Sequence, residues 1–139
     1  MPSAISDLLS ASDLHLALIN KGLDGHLLNQ EITWVHNSDL LDPTPWLEPK
    51  QLMLTDGLQF VGTTEPSVFN QYIQRLLASE ILGLGFSTNV VHEVVPKPLI
   101  EACEKLGLPL FQVPARTPFV AIAQHVARVR AADQRRTLE

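Results

Sequence analysis

Polar side chains suited to hold a small molecule cluster after three short apolar runs. Thr55, Asp56, Thr63 and Thr64 follow residues 51–54; Ser87, Thr88, Asn89 and His92 follow residues 80–86; Arg116 and Thr117 follow residues 110–113. If the runs are parallel strands, the loops leaving their carboxyl ends share one edge of a sheet, where ligands commonly bind. Helices starting at that edge turn their N-terminal amides toward it, which favours an anion. Arg116 could grip a carboxylate through two N–H groups. Taken singly, these are side chains that any solvated loop carries. Together they make Thr55, Asp56, Gly57, Thr88, His92, Arg116 and Thr117 the expected ligand contacts.

No residue set reads as a catalytic machine. His15, His26, His36, His92 and His125 show no H-E-x-x-H or other tight ligand spacing, so no metal is expected. His125 falls off the apolar stripe of its segment and is expected to be exposed. Cys103 lies among helix core positions and reads as a buried, inert thiol. No serine sits in a G-x-S-x-G elbow. Asp39, Asp42 and Asp56 do not reveal an acid–base pair by spacing. The run Leu82-Gly83-Leu84-Gly85-Phe86-Ser87-Thr88 lacks the third glycine of a dinucleotide fingerprint, and its helix starts some residues too late. Its glycines read as sites of close packing. No enzyme is expected, and no cofactor is implied.

The elements that would position the site follow from periodicity and breakers. Residues 3–10 suit a short helix. Residues 14–19 are apolar except for His15, and pattern alone does not separate strand from helix there. Residues 32–36 are β-branched and aromatic, hence a strand. Pro43 and Pro45 mark a loop, with Trp46 and Leu47 expected to tuck beneath it. Residues 51–54 form a strand too short for a helix. Thr63 or Thr64 could cap the next helix, with Pro66 in its first turn and Phe69, Tyr72, Ile73, Leu76 and Leu77 on one face. Residues 80–86 are apolar after Glu80, as in a strand covered on both faces. Pro98 and Gly107 bracket another helix, residues 110–113 another strand, and Thr117-Pro118 opens the last helix. Strands alternating with helices predict an α/β fold: one domain with a mostly parallel sheet of four to five strands, flanked by helices. Residues 1–130 form that domain, and 131–139 a polar helical tail or linker.

Composition narrows the function. The chain has 139 residues, 45% hydrophobic and 18% charged, which suits one soluble core. Its formal net charge of -5 argues against nucleic-acid binding by this segment. The basic residues Arg128, Arg130, Arg135 and Arg136 read as a solvated helix face. No run is long enough to span a bilayer, and residues 1–7 carry no signal-peptide pattern. With one cysteine, a cytoplasmic location is the default.

Four blocks then carry a resemblance. They are Ile32-Thr33-Trp34-Val35-His36-Asn37-Ser38-Asp39-Leu40; Asp42-Pro43-Thr44-Pro45-Trp46-Leu47; Gln51-Leu52-Met53-Leu54-Thr55-Asp56-Gly57; and Pro98-Leu99-Ile100 through Leu106-Gly107-Leu108-Pro109-Leu110-Phe111-Gln112-Val113-Pro114, with Pro118-Phe119 after it. In order and spacing, from about residue 5 to residue 130, the chain resembles the N-terminal domain of the purine catabolism regulator (PucR-like) family of bacterial transcription regulators. The family usually has Thr-Thr-Gly where this chain has Thr55-Asp56-Gly57, and Glu in place of Asp39. The added carboxylate at Asp56 favours an amine or urea-like group over an anion. The resemblance implies an effector-sensing module whose DNA contacts are made by a C-terminal domain outside this sequence.

The expected partner is therefore a small-molecule effector, with a homodimer as a further partner and no membrane. The main alternative is a ligand-free dimerisation module using the last helix and residues 14–19. A small enzyme at the same rim ranks last.

Overall fold

The computed structural model describes residues 3–138, with side chains through residue 135. Five strands form one sheet in the order β1-β5-β4-β3-β2: β1 (Ala17–Leu18), β2 (Trp34–Asn37), β3 (Gln51–Thr55), β4 (Gly83–Ser87) and β5 (Leu110–Val113). Strands β2 to β5 run parallel and β1 closes one edge antiparallel to β5. Thus residues 14–19 contribute an edge strand.

Alternation along the strands divides the core in two. Met53, Leu84, Phe86 and Leu110 face the helices α3 (Pro66–Ala78) and α4 (Lys97–Leu106). Leu52, Leu54, Phe111 and Val113 face α1 (Ile5–Ser10) and α5 (Phe119–Leu138). A short α2 (Gly25–Leu28) lies in the turn-rich link before β2. The period of two sends successive side chains to opposite faces, and helices on both faces explain why β3 and β4 are buried throughout.

The glycines of β4 serve this packing. A Cβ on Gly85 would stand 2.6 Å from Leu54 Cδ2 and 2.7 Å from the Phe111 ring. The α4 helix begins only at Lys97, well beyond the strand. Close packing therefore accounts for the glycine pair, and a dinucleotide turn does not.

Three local expectations need correction. Trp46 is 63% exposed. Its short helical turn (Thr44–Trp46) is closed by Trp46 N–H donating to the Pro43 carbonyl; this swings the indole outward, while Leu47 packs on the α3/α4 core and Pro43 is buried. His125 is half-buried, with Nε2 3.1 Å from Asp7 Oδ2, because α1 packs beside α5 on the same face of the sheet. Neither Thr63 nor Thr64 is the N-cap of α3. Glu65 takes that position, and its N–H reaches Thr63 Oγ1 at 3.4 Å. The polar tail foreseen for 131–139 is helical to Leu138; Glu139 and the side chain of Arg136 lie outside the described residues.

Candidate functional site

The parallel register decides which loops meet. Pairing of Asn37 with Leu54 and of Thr55 with Phe86 brings the ends of β2, β3 and β4 level at one edge. The crossovers through α3 and α4 lie on the same face, and the order β5-β4-β3-β2 contains no reversal. The site is therefore built by neighbouring strand-to-helix loops, without the topological switch point of a doubly wound sheet.

Thr55 is the hub of the rim. Its Oγ1 lies 2.6 Å from Asp39 Oδ1, 3.1 Å from the Gly57 N–H nitrogen and 3.1 Å from Gln59 Nε2. A hydroxyl has one proton and two acceptor sites. The carboxylate can only accept, so the proton goes to Asp39, and the two N–H groups fill the acceptor sites. That choice orients the Gln59 amide with its nitrogen toward Thr55, although Oε1 is also within 3.2 Å. Asp39 Oδ1 further accepts the Asp56 N–H at 2.9 Å, and Asp56 Oδ1 accepts from Ser87 Oγ at 2.5 Å. Three strand ends are thus tied by two carboxylates and two buried hydroxyls.

Gly57 makes the next connection. Its φ is +84°, a left-handed conformation disfavoured for residues with a Cβ. A Cβ there would also collide with the Phe86 ring and stand 2.8 Å from His92 Cδ2. Into the space left by the missing side chain folds His92, whose Nε2 is 2.8 Å from the Gly57 carbonyl oxygen. A carbonyl accepts, so Nε2 carries the proton, and Nδ1 is an acceptor in the neutral ring. Phe86 supports the imidazole at a centroid distance of 5.5 Å. The β4–α4 loop is thereby laid over the turn that leaves β3.

Between these two loops lies an open cleft of about 540 Å³. Phe60, Gly62 and Thr64 line one wall; His92, Val94 and Lys97 line the other. Of the seven expected ligand contacts, His92 alone lines this cleft, joined by Thr63 and Thr64 from the wider set of polar loop residues. Thr55, Asp56 and Gly57 form the adjoining network. Thr88 is buried and accepts from Gln112 Nε2 at 3.2 Å, while Thr117 donates to the Leu14 carbonyl at 2.7 Å. Arg116 is exposed in the turn after β5. Asp39, Gln59 and Ser87 join the site in addition. Ser87 was visible among the polar loop residues, but Asp39 belongs to a loop whose place only the β2–β3 register reveals.

Beneath the rim, the Tyr72 hydroxyl is buried without a hydrogen-bond partner. Burial drives its phenol well above the ordinary tyrosine range; the Gln59 side chain alongside acts in the opposite direction, and Asp39 adds to the rise. Cys103 is fully buried on α4, and burial, with a smaller contribution from Glu104, pushes its thiol up to about 12. A neutral, inaccessible thiol is no nucleophile. Among the described residues, no group of three or more His, Cys, Asp or Glu could hold a metal ion, and no helix is long and apolar enough to cross a membrane.

Comparison with known proteins finds relatives along nearly the whole chain. The transcriptional activator PmfR of Paenarthrobacter nicotinovorans is 26% identical over 130 residues, covering 94% of this chain and 27% of that protein. The chain therefore spans about a quarter of the length of that relative. The profile of the purine catabolism regulatory protein-like family matches residues 7–129, from α1 through most of α5. With all five strands and the whole rim inside the match, the chain belongs to the purine catabolism regulatory protein-like (PucR) family.

Proposed function

We propose that this domain is the effector-sensing part of a cytoplasmic transcription regulator, and that a small polar metabolite binds at the rim and in its cleft. The observation that carries this reading is the His92–Gly57 contact. It joins the two loops that wall the cleft, and it hangs on a turn whose carboxylates and hydroxyls tie β2, β3 and β4 together. A ligand touching either loop would act on all three strand ends. Thr117 and the start of α5 lie at the same edge of the sheet, and α5 is anchored at its far half by Arg130 to the Ile32 carbonyl at 2.9 Å. A ligand that binds one arrangement of these loops better than another would shift the pose of α5, and differential affinity is the requirement for such coupling. DNA contacts are assigned to another part of the full protein, in keeping with the net charge of -5 here. PmfR is named a transcriptional activator, which supports the regulatory setting.

A thermal-shift screen with purine breakdown products, amino acids and ureides tests the reading. A saturable rise in midpoint that is abolished by His92→Ala supports it. No rise with any compound refutes it. A ligand-free dimerisation module has its own observation: β2 is an edge strand, and Trp34 on it is 60% exposed. A concentration-dependent dimer in sedimentation, lost on Trp34→Lys, together with a blank screen, would favour that second reading.

A further inference from the structure

The cleft wall carries one polar atom that is fixed in place and left unused. The Cδ2–Nε2 edge of His92 faces Gly57: Nε2 lies 2.8 Å from the Gly57 carbonyl oxygen, and Cδ2 stands 2.8 Å from where a Gly57 Cβ would be. His92 lines the cleft and Gly57 does not, so the ring edge turned from Gly57, that of Nδ1, is the one the cleft receives. The carbonyl can only accept. The Nε2 proton is therefore committed to it, and Nδ1 holds a lone pair in the neutral ring. Among the described residues, Nδ1 has no hydrogen-bond partner, and it is not sealed in the interior as the Tyr72 hydroxyl is.

The ring is held from two sides. Phe86, fully buried, supports it at a centroid distance of 5.5 Å. The His92 carbonyl accepts the Asn89 N–H at 2.7 Å, so the β4–α4 loop closes on itself and fixes the His92 backbone as well. An acceptor placed in advance costs a ligand little ordering.

The rest of the cleft selects no charge. Phe60, Val94, Pro96 and Pro98 supply apolar surface, while Glu93 and Lys97, both exposed, offset each other. The helix N-termini at this edge, expected from sequence to favour an anion, are poor anion sites. Pro66 opens α3 behind a Glu65 N-cap; Pro96 caps α4 and Pro98 sits in its first turn. Each proline lacks the N–H that an anion would use, and Glu65 brings negative charge. What the cleft can discriminate is hydrogen on the ligand, because a group that offers only lone pairs leaves Nδ1 unpaired.

We propose that His92 Nδ1 is the specificity-determining acceptor of the cleft, and that its ligand is an uncharged planar ring carrying an N–H or O–H donor: a cyclic amide, an azole or a phenol. The donor meets Nδ1, and the ring lies against Val94 and the neighbouring prolines. This inference rests on the effector-sensing reading above and specifies the ligand's chemistry.

Ring-nitrogen NMR of the 15N-labelled protein at mildly alkaline pH reads the tautomer first; the His92 proton should sit on Nε2. Quinolin-2-one and its N-methyl derivative then share a skeleton and differ by one N–H. The expected result is saturable binding of quinolin-2-one, with a shift of the His92 Nδ1 resonance and of the Glu93 and Val94 amides. N-methylation should weaken binding by about tenfold or more, the scale of one lost hydrogen bond. His92→Ala should erase the difference between the two compounds, and circular dichroism checks that its fold is intact. A proton found on Nδ1, equal binding of the methylated compound, binding that leaves Nδ1 unmoved, or no binding of quinolin-2-one would overturn the proposal. If quinolin-2-one fails while another metabolite from the wider screen shifts the amides of the two cleft loops, the donor claim falls and effector sensing stands. If every compound fails, both fall.

Discussion

Replacing Gly57 with alanine perturbs the rim at the point where backbone and packing constraints coincide. At φ +84° a Cβ meets the left-handed penalty, about 1–2 kcal/mol. It also enters the space of the Phe86 ring and stands 2.8 Å from His92 Cδ2. Phe86 is fully buried between β4 and the α3/α4 layer, so its ring cannot swing away. Overpacking of that kind adds about 1–3 kcal/mol. Gly107 supplies the control: it has the same φ of +84° at the end of α4, with nothing within 4 Å of a new Cβ. Gly107→Ala should therefore show the backbone cost alone. Urea unfolding followed by circular dichroism should place Gly57→Ala about 1–3 kcal/mol below Gly107→Ala at unchanged m-value. Equal losses within about 0.5 kcal/mol would refute the claim that His92 and Phe86 occupy the space of the missing side chain.

Other substitutions test separate links. Thr55→Val removes the hub while keeping its shape, leaving the Gly57 N–H and the Gln59 amide without their acceptor; a loss of about 1–3 kcal/mol is expected in urea unfolding. Trp46→Ala should stay within about 0.5 kcal/mol of the parent, whereas Phe60→Ala, which empties a ring stacked on Phe69 at 4.6 Å, should cost about 3–5 kcal/mol. Burial pushes the Cys103 thiol from its usual 9.0 up to about 12, so above pH 9 the unfolded chain releases a proton that the folded chain keeps. Stability should be intact below pH 9 and fall as pH rises toward about 12; Cys103→Ala should flatten the pH dependence of chemical unfolding over that window, leaving the part due to Tyr72.

Much of the scaffold is legible in the chain because local signals agree there. Pro66, Pro98 and Gly107 punctuate α3 and α4, and the apolar runs of β3 and β4 match strands buried on both faces. The edge strand β1 was ambiguous because two residues of pairing leave no period to read. Trp46 misled because composition favours burying an indole, while a three-residue turn decided its direction. His125 looked exposed on a helical wheel, which does not include a neighbouring α1 carrying Asp7. The site divides in the same way. Asp56, Gly57 and His92 could be placed at a sheet edge from the loop pattern. Asp39 could not, since its link to Thr55 spans sixteen positions and depends on the β2–β3 register. Thr88 and Thr117 lie at the expected strand ends, with their hydroxyls bonded to Gln112 and Leu14.

The central claim is that the rim around Gly57 is where this domain meets its effector. Amide chemical shifts of the 15N-labelled protein, recorded against the metabolite that gives the largest thermal shift, test it most directly. The account predicts that Asp56, Gly57, Ser87 and His92 respond together, on one saturation curve, with α5 following. A response centred on Trp34 and the β2 edge, with those four amides unmoved, would contradict it.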